Sequence, residues 1–244
     1  MEWRETGILL SLRKHGETSV IAEALTPSHG RHAGVIRGGI SRKMTSILQL
    51  GAQLDLTWRA RLDAHIGTFT VEPQRARAHQ VMGDRAALEG LNAACALLCV
   101  TLGERDPHPG LYAATEALFD VIGVQAEWPL AYLKWEMLLL EEMGYGLDLS
   151  ACAVTGATED LIYISPRTGR AVSKAGAGEF APRLLPLADA MRSGAEFDLG
   201  SIQEGLRVTA HFLTERVLPA TGGRDLPPAR ARLATALTRQ ASGS

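Results

Sequence analysis

The chain has 244 residues, 46% hydrophobic and 21% charged, with 25 Lys+Arg against 27 Asp+Glu. That is the composition of a soluble globular protein, and no run approaches the roughly 18 apolar residues of a membrane helix. The charged opening Met1-Glu2-Trp3-Arg4-Glu5 lacks the order of a secretory signal, and three unevenly placed cysteines (Cys95, Cys99, Cys152) make no disulfide framework, so a cytoplasmic location is expected.

The charge is divided along the length. Residues 1–80 hold 11 basic and 7 acidic residues, a surplus of +4, together with 5 of the 7 histidines. The remaining residues hold 14 basic and 20 acidic ones, a deficit of −6. A basic front segment suggests a surface that meets a polyanion.

That front segment reads as β. Gly7 to Arg13 is an apolar run ended by His15-Gly16, Ser19 to Leu25 is a second, and His32 to Arg37 follows the turn His29-Gly30-Arg31. Leu54, Leu56 and Trp58 alternate with Asp55, Thr57 and Arg59, the period-2 pattern of a half-buried strand. Ile66 to Val71 is β-branched and aromatic, and Pro73 is expected to end it. Five short strands between turn signals predict a small barrel or sandwich.

The period then changes to a helical one. Val81, Leu88, Leu91, Cys95 and Leu98 recur at helical spacing up to Leu102, and Leu111 to Ile122 form a second face. Pro129 suits a first helical turn, with Leu133, Met137 and Leu140 as the stripe and Gly144 as the stop. Ser201-Ile202-Gln203-Glu204 reads as a capping box opening a last long helix with Leu206, Leu213 and Val217. Between Gly144 and about Pro182 the helical signal fails, and Leu161 to Ile164 looks like a strand. The tail from Pro227-Pro228 predicts a short helix that frays at Ser242-Gly243-Ser244. The fold class is therefore α+β, divided into 1–78 and 79–244, with an irregular excursion at 147–181.

No phosphate loop, His-Glu-x-x-His or Gly-x-Ser-x-Gly is present. The pairs Glu141-Glu142 and Glu159-Asp160 are adjacent in sequence and point different ways, which suits solvated faces better than a shared metal. Cys95 and Cys99 sit on an apolar helix face as core residues. Cys152 is followed by Thr155 where a Cys-x-x-Cys would place its second thiol.

The basic front segment remains. Arg31, Arg37, Arg42 and Lys43 fall in one Gly-rich turn region, Arg13-Lys14 ends the first strand, and Arg59 and Arg61 share a strand face if that strand runs straight through. Arg grips phosphate bidentately and Lys acts as a point charge, so these eight residues are the candidate nucleic-acid contacts. Trp3, Trp58 and Phe69 are few, which favours electrostatics over base stacking. An enzyme using Cys152 or His211, and an RNA-binding barrel protein of another pathway, are the competing readings.

Met1 to Leu10, His15-Gly16-Glu17-Thr18-Ser19, Thr26 to Arg31 and Val35 to Gly39, followed by Trp58 to Leu62, Arg105 to Pro109, Gly144 to Leu149 and Ser165 to Arg170, together resemble the bacterial RecO family of DNA repair proteins. The resemblance covers roughly residues 1–220. It implies an N-terminal OB-fold, a helical domain and a zinc-finger-like excursion. Zinc-bearing members carry two Cys-x-x-Cys pairs there. Here only Cys152 stands, no cysteine lies between Val172 and Gly178, and no metal or other cofactor is expected.

The resemblance further implies a non-catalytic recombination mediator at the nucleoid. It would bind single- and double-stranded DNA, anneal strands, act with RecR and RecF, and help load RecA onto DNA coated by single-strand-binding protein. For the tail of that last protein, Lys134 with Trp135 or Leu138, and Arg207 or Arg216 near Phe212, are the nominees. No membrane partner is expected.

Overall fold

A computed structural model describes residues 1–62, 64–223 and 225–242. Gly243 and Ser244, in the tail expected to fray, lie outside the described residues.

Five strands, β1 (Glu2–His15), β2 (Ser19–Thr26), β3 (Gly30–Ile36), β4 (Gln53–Arg59) and β5 (Thr68–Arg75), pair in the order β1-β2-β3-β5-β4 and close into a barrel. Closure depends on the length of β1. Its first half pairs with β4 from Glu2↔Arg59 to Ile8↔Gln53, and its second half with β2 from Ile8↔Leu25 to His15↔Ser19, with a register shift between Leu9 and Ser11. Such an irregularity bends a strand enough to serve two neighbours. The last join is parallel, at Val35↔Thr68.

Alternation decides what fills the barrel. Leu54, Leu56 and Trp58 of β4 point inward with Val20, Ala22 and Ala24 of β2, Ile36 and Phe69. A short helix, α1 (Arg42–Ile47), lies between β3 and β4, and its Met44 and Ile47 pack against that core. Gly34 admits the Phe69 ring: a Cβ built there would stand 2.4 Å from the ring.

Three expectations about this segment change. Pro73 does not end β5, which runs on to Arg75. There β5 pairs with β4 alone, so a residue without an N–H is tolerated on the open side. Arg42 and Lys43 are helical rather than in a turn, because Ser41 caps α1 by accepting from the Met44 N–H. Arg61 does not share a strand face with Arg59, because β4 ends at Arg59 and the chain bends at Arg61.

Helices follow: α2 (Ala78–Val81), α3 (Arg85–Thr101), α4 (Pro109–Val121) and α5 (Trp128–Glu142). The chain divides into two compact units. The first is Met1–Gln125 with Pro227–Leu233, so it reaches well beyond residue 78. The physical reason is packing and charge: the Cys95 thiol approaches the Leu9 carbonyl, and Arg77, fully buried, is held by Asp120 of α4 at 2.7 and 2.9 Å and by the Gly51 carbonyl at 3.0 Å.

The second unit, Ala126–Leu226 with the residues from Ala234 on, contains α5 and the small sheet β7-β6-β8 formed by β6 (Leu161–Ile164), β7 (Ala171–Ser173) and β8 (Leu185–Pro186). It also contains α6 (Lys174–Ala177), α7 (Leu199–Phe212), a π-helical turn at Leu213–Val217 and α8 (Leu218–Ala220). A final helix, α9 (Pro228–Ser242), closes the chain. The excursion is thus partly helical. Ser201 does not cap α7. Asp198 does, accepting from the Ser201 N–H at 2.7 Å, while the Ser201 hydroxyl accepts from the Ala190 N–H. Among the described residues, no helix is long and apolar enough to cross a membrane.

Candidate nucleic-acid interface

Which cations are available is decided by the carboxylates around them. Arg4 pairs with Asp55 and Glu72, Arg59 with Glu2 at 2.7 Å, and Arg75 and Arg77 with Asp120. His29 meets Glu5 at 2.9 Å. Arg31, only 14% exposed in its side chain, is bonded to Glu23 and to the Leu102 carbonyl at 3.1 Å. It holds the barrel to the loop after α3 and does not face solvent as a nucleic-acid contact would.

Arg13, Lys14, Arg37, Arg42, Lys43 and Arg61 remain. All six are exposed, and none has an ion pair or side-chain hydrogen bond among the described residues. The surplus of positive charge therefore falls on these positions, with Arg59 partly neutralised beside them.

The topology gathers most of them. Arg37 follows β3. Thr68, the partner of Val35, opens β5, and Arg59 pairs with Thr68 across β4. Arg37 and Arg59 consequently line one groove of about 400 Å³ with Met44, Phe69, Thr70 and Val71. Arg42 and Lys43 precede Met44 on α1 and are exposed. Lys14 pairs with Val20 and Val20 with Ile36, so the β1–β2 hairpin brings its cations to within two strand spacings of Arg37, roughly 10 Å. The Ile40 N–H also bonds the Thr18 carbonyl of that hairpin. Arg61 lies in the bend after β4. Exposed cations around an open groove with an apolar floor can neutralise phosphates while leaving the backbone free to slide.

A feature invisible in the sequence lies beside this groove. Trp3 stacks on His29 with centroids 4.2 Å apart, His32 stands edge-on to both Trp3 and Trp58, and the Arg105 guanidinium sits 5.7 Å over Trp58. These residues line a second cavity of about 300 Å³. The stack joins β1 to the turn before β3, and no local spacing announces it.

The nominees for a protein tail fare differently. Trp135 and Phe212 are core residues of the second unit. Lys134 donates to the Arg192 carbonyl at 2.6 Å and Arg216 to that of Arg167 at 3.1 Å, while Arg207 is exposed and Leu138 half-buried.

The excursion does not fit zinc. The Cys152 sulfur accepts from the Ser173 N–H at 3.2 Å, the Ser173 hydroxyl at 3.3 Å and the Thr155 N–H at 3.4 Å. These bonds, that of the Ser173 hydroxyl foremost, pull the thiol down to about 6. Donor hydrogens thus stand where a metal would need electron pairs, and among the described residues no group of three or more His, Cys, Asp or Glu could hold a metal. His211 lies edge-on against Phe212.

The molecule is an α+β protein with an N-terminal closed sheet and a mostly helical C-terminal part. Residues 1–76 match the family model described as recombination protein O N terminal, and residues 82–225 the one described as recombination protein O C terminal. The chain belongs to the recombination protein O (RecO) family of DNA repair proteins. It is similar to the DNA repair protein RecO of Roseobacter denitrificans, 58% identical over 98% of this chain and all of that protein. It is likewise similar to those of Ruegeria sp. (56%, 98% of this chain and all of the relative) and Jannaschia sp. (57%, 98% of both).

Proposed function

We propose that the barrel is an OB-type module that binds DNA through its phosphates at the groove of Arg37 and Arg59, with Arg42, Lys43 and Arg61 at its rim and Arg13 and Lys14 extending the track. The observation that carries this reading is the gathering at one end of the barrel of cations that have no ion pair among the described residues, while the carboxylates nearby are held in pairs with Arg4, Arg31 and Arg59. Arg31 is left out of the set because it is largely buried and bonded to the Leu102 carbonyl as well as to Glu23, whereas Arg59, though paired with Glu2, stays exposed.

Such binding is independent of sequence and serves single and double strands alike. Two backbones neutralised side by side would anneal. Membership of the family supports the wider role: a non-catalytic mediator acting at the nucleoid with RecR and RecF, loading RecA onto strands coated by single-strand-binding protein. Of the residues nominated for that protein's tail, Arg207 is exposed and Leu138 half-buried.

The test is fluorescence anisotropy with a DNA oligonucleotide across a salt series. The wild type should show a steep negative slope of log K on log salt. Replacing Arg37, Arg42 and Lys43 together by alanine should reduce the slope by about two to three. An unchanged slope would remove these residues from the interface. Preference for an RNA of the same length would favour an RNA-binding role instead.

A further inference from the structure

We infer that the second unit carries a phosphate-binding patch of its own, made by Arg167 and Arg170 of the β6–β7 turn and Arg216 of the π-helical turn, where a second nucleic-acid strand rests; this deepens the annealing reading above and rests on it.

Three observations carry it. First, the turn is fixed and holds its arginines outward. The Ser165 N–H bonds the Arg170 carbonyl and the Gly169 N–H bonds the Ser165 carbonyl, both at 2.9 Å, while the Thr168 N–H meets the Ser165 hydroxyl at 3.3 Å. Asp148 ties the far side: its N–H bonds the Gly169 carbonyl at 3.1 Å and its carbonyl accepts from the Ala171 N–H at 2.8 Å. Arg167 and Arg170 are exposed on this frame. Cations on a backbone already ordered lose less freedom when an anion binds.

Second, a distant segment brings a third arginine to the same place. Arg216 donates to the Arg167 carbonyl at 3.1 Å from the π-helical turn Leu213–Val217. Such wide turns are rare and recur at functional sites. Neither Arg167 nor Arg216 has an ion pair among the described residues, and the adjacent Glu215 has none either. Asp148 meets Arg170 at 3.3 Å, but its carboxylate also accepts from the Ser150 N–H and hydroxyl. Three positive charges therefore gather around one paired carboxylate.

Third, the sign of the patch opposes that of its surroundings. Residues 126–226 hold 9 Lys+Arg against 14 Asp+Glu, a deficit of 5. Cations set side by side repel one another, and a bound anion relieves that repulsion.

The occupant is a nucleic-acid backbone rather than an acidic protein segment, because the patch supplies charge over a floor that is already closed. Gly169 lies on Leu147 and the buried Phe212, so the apolar side chains beneath the turn are covered. Protein segments depend on seating an aromatic or aliphatic anchor. Phosphates need only the charge and the forked donors of arginine. The patch also lies in the unit that does not contain the barrel, as a second backbone site must if two strands are held at once.

The test counts strands. The full chain is titrated with a short oligothymidylate, and the complexes are sized by sedimentation at low salt. The wild type should hold two oligomers and Arg167→Glu one, with the tighter site changed by less than about twofold. Arg167→Lys, which keeps the charge, should hold two. Annealing of complementary oligomers should slow about tenfold in Arg167→Glu. The Arg167 side chain has no hydrogen bond among the described residues, so all three proteins should melt alike. One oligomer on the wild type, bound with a steep salt slope, would overturn this patch and leave the barrel reading standing. A flat salt slope for that first oligomer would overturn the barrel reading itself. Two oligomers on Arg167→Glu would place the second strand elsewhere and overturn this site. Polyglutamate bound by the wild type and not by Arg167→Glu, with only one oligomer held by either, would make the partner an acidic protein and also overturn it.

Discussion

Arg59 Nη2 lies 2.7 Å from Glu2 Oε1, and the two residues face each other across the β1–β4 ladder. The hydrogen bond from Arg59 holds the Glu2 carboxyl below the usual glutamate range, so the pair is charged at neutral pH. Because both groups are largely exposed, the pair itself does little for stability. It does keep a negative charge beside the groove. Glu2→Gln is therefore expected to raise affinity for DNA about two- to fivefold at low salt, with little change in the unfolding midpoint. Anisotropy titrations of the two proteins at matched salt would check this, and equal affinities would show that Arg59 does not meet phosphate.

Arg31 and Arg37 lie at opposite ends of one strand region and should separate stability from binding. Arg31→Met removes the partner of Glu23 and of the Leu102 carbonyl, and should lower unfolding stability by about 1–3 kcal/mol while leaving the salt slope of DNA binding intact. Arg37→Ala should do the reverse, reducing the slope by about one with no measurable change in stability. Denaturant melts paired with salt titrations of both variants would show the crossing pattern. A reduced slope in Arg31→Met would return that residue to the interface.

The difference between these two arginines marks where sequence reading stops. Alternation in Leu54, Leu56 and Trp58 declares an inward face directly, and the change from period 2 to helical period near residue 78 marks the end of the barrel. The basic surplus is equally plain. Which cations carry it is not, because that depends on carboxylates distant in sequence: Glu23 reaches Arg31 only across the β2–β3 ladder, and Asp120 reaches Arg77 from α4. Arg42 and Lys43 look like part of a glycine turn until Ser41 is seen to cap a helix. The stack of Trp3 on His29 has no local signature at all. It exists because β1 and the turn before β3 meet through barrel closure.

Asp120 binds both Arg75 and the fully buried Arg77. Burial alone would raise its carboxyl, but the hydrogen bonds from the two arginines prevail and its pKa is lowered. A depressed carboxylate stabilises the fold fully above the ordinary aspartate range, and that contribution is lost as pH falls through the native value. Asp120→Asn leaves the Arg77 charge buried with neutral acceptors alone, among them the Gly51 carbonyl and Gln53. It should cost about 2 kcal/mol or more at neutral pH and flatten the acid limb of the stability profile. Denaturant melts from neutral to acid pH on both proteins would reveal it, and parallel profiles would deny Asp120 this role.

Cys152 is satisfied by protein donors, so chelation should have no effect on the fold. Purified protein is expected to hold less than stoichiometric zinc, and a chelator should leave the thermal midpoint unchanged. Cys152→Ala, which leaves the Ser173 and Thr155 donors without their acceptor, should lower stability by about 1–3 kcal/mol. Stoichiometric zinc by elemental analysis would contradict this account of the excursion.

Gly34 lies where β3 passes the Phe69 ring, close to the single parallel pair Val35↔Thr68 that closes the barrel. A Cβ there would stand 2.4 Å from the ring, far inside van der Waals contact, so either Phe69 leaves its rotamer or β3 and β5 part. Gly34→Ala should destabilise the protein by about 1–3 kcal/mol. Because Phe69 also floors the groove, it should weaken binding of oligonucleotide even where the protein remains folded. Measuring affinity well below the unfolding transition separates the two effects. A variant with normal affinity and lowered stability would show that the groove tolerates movement of its floor, and that the phosphates are held by the cations alone.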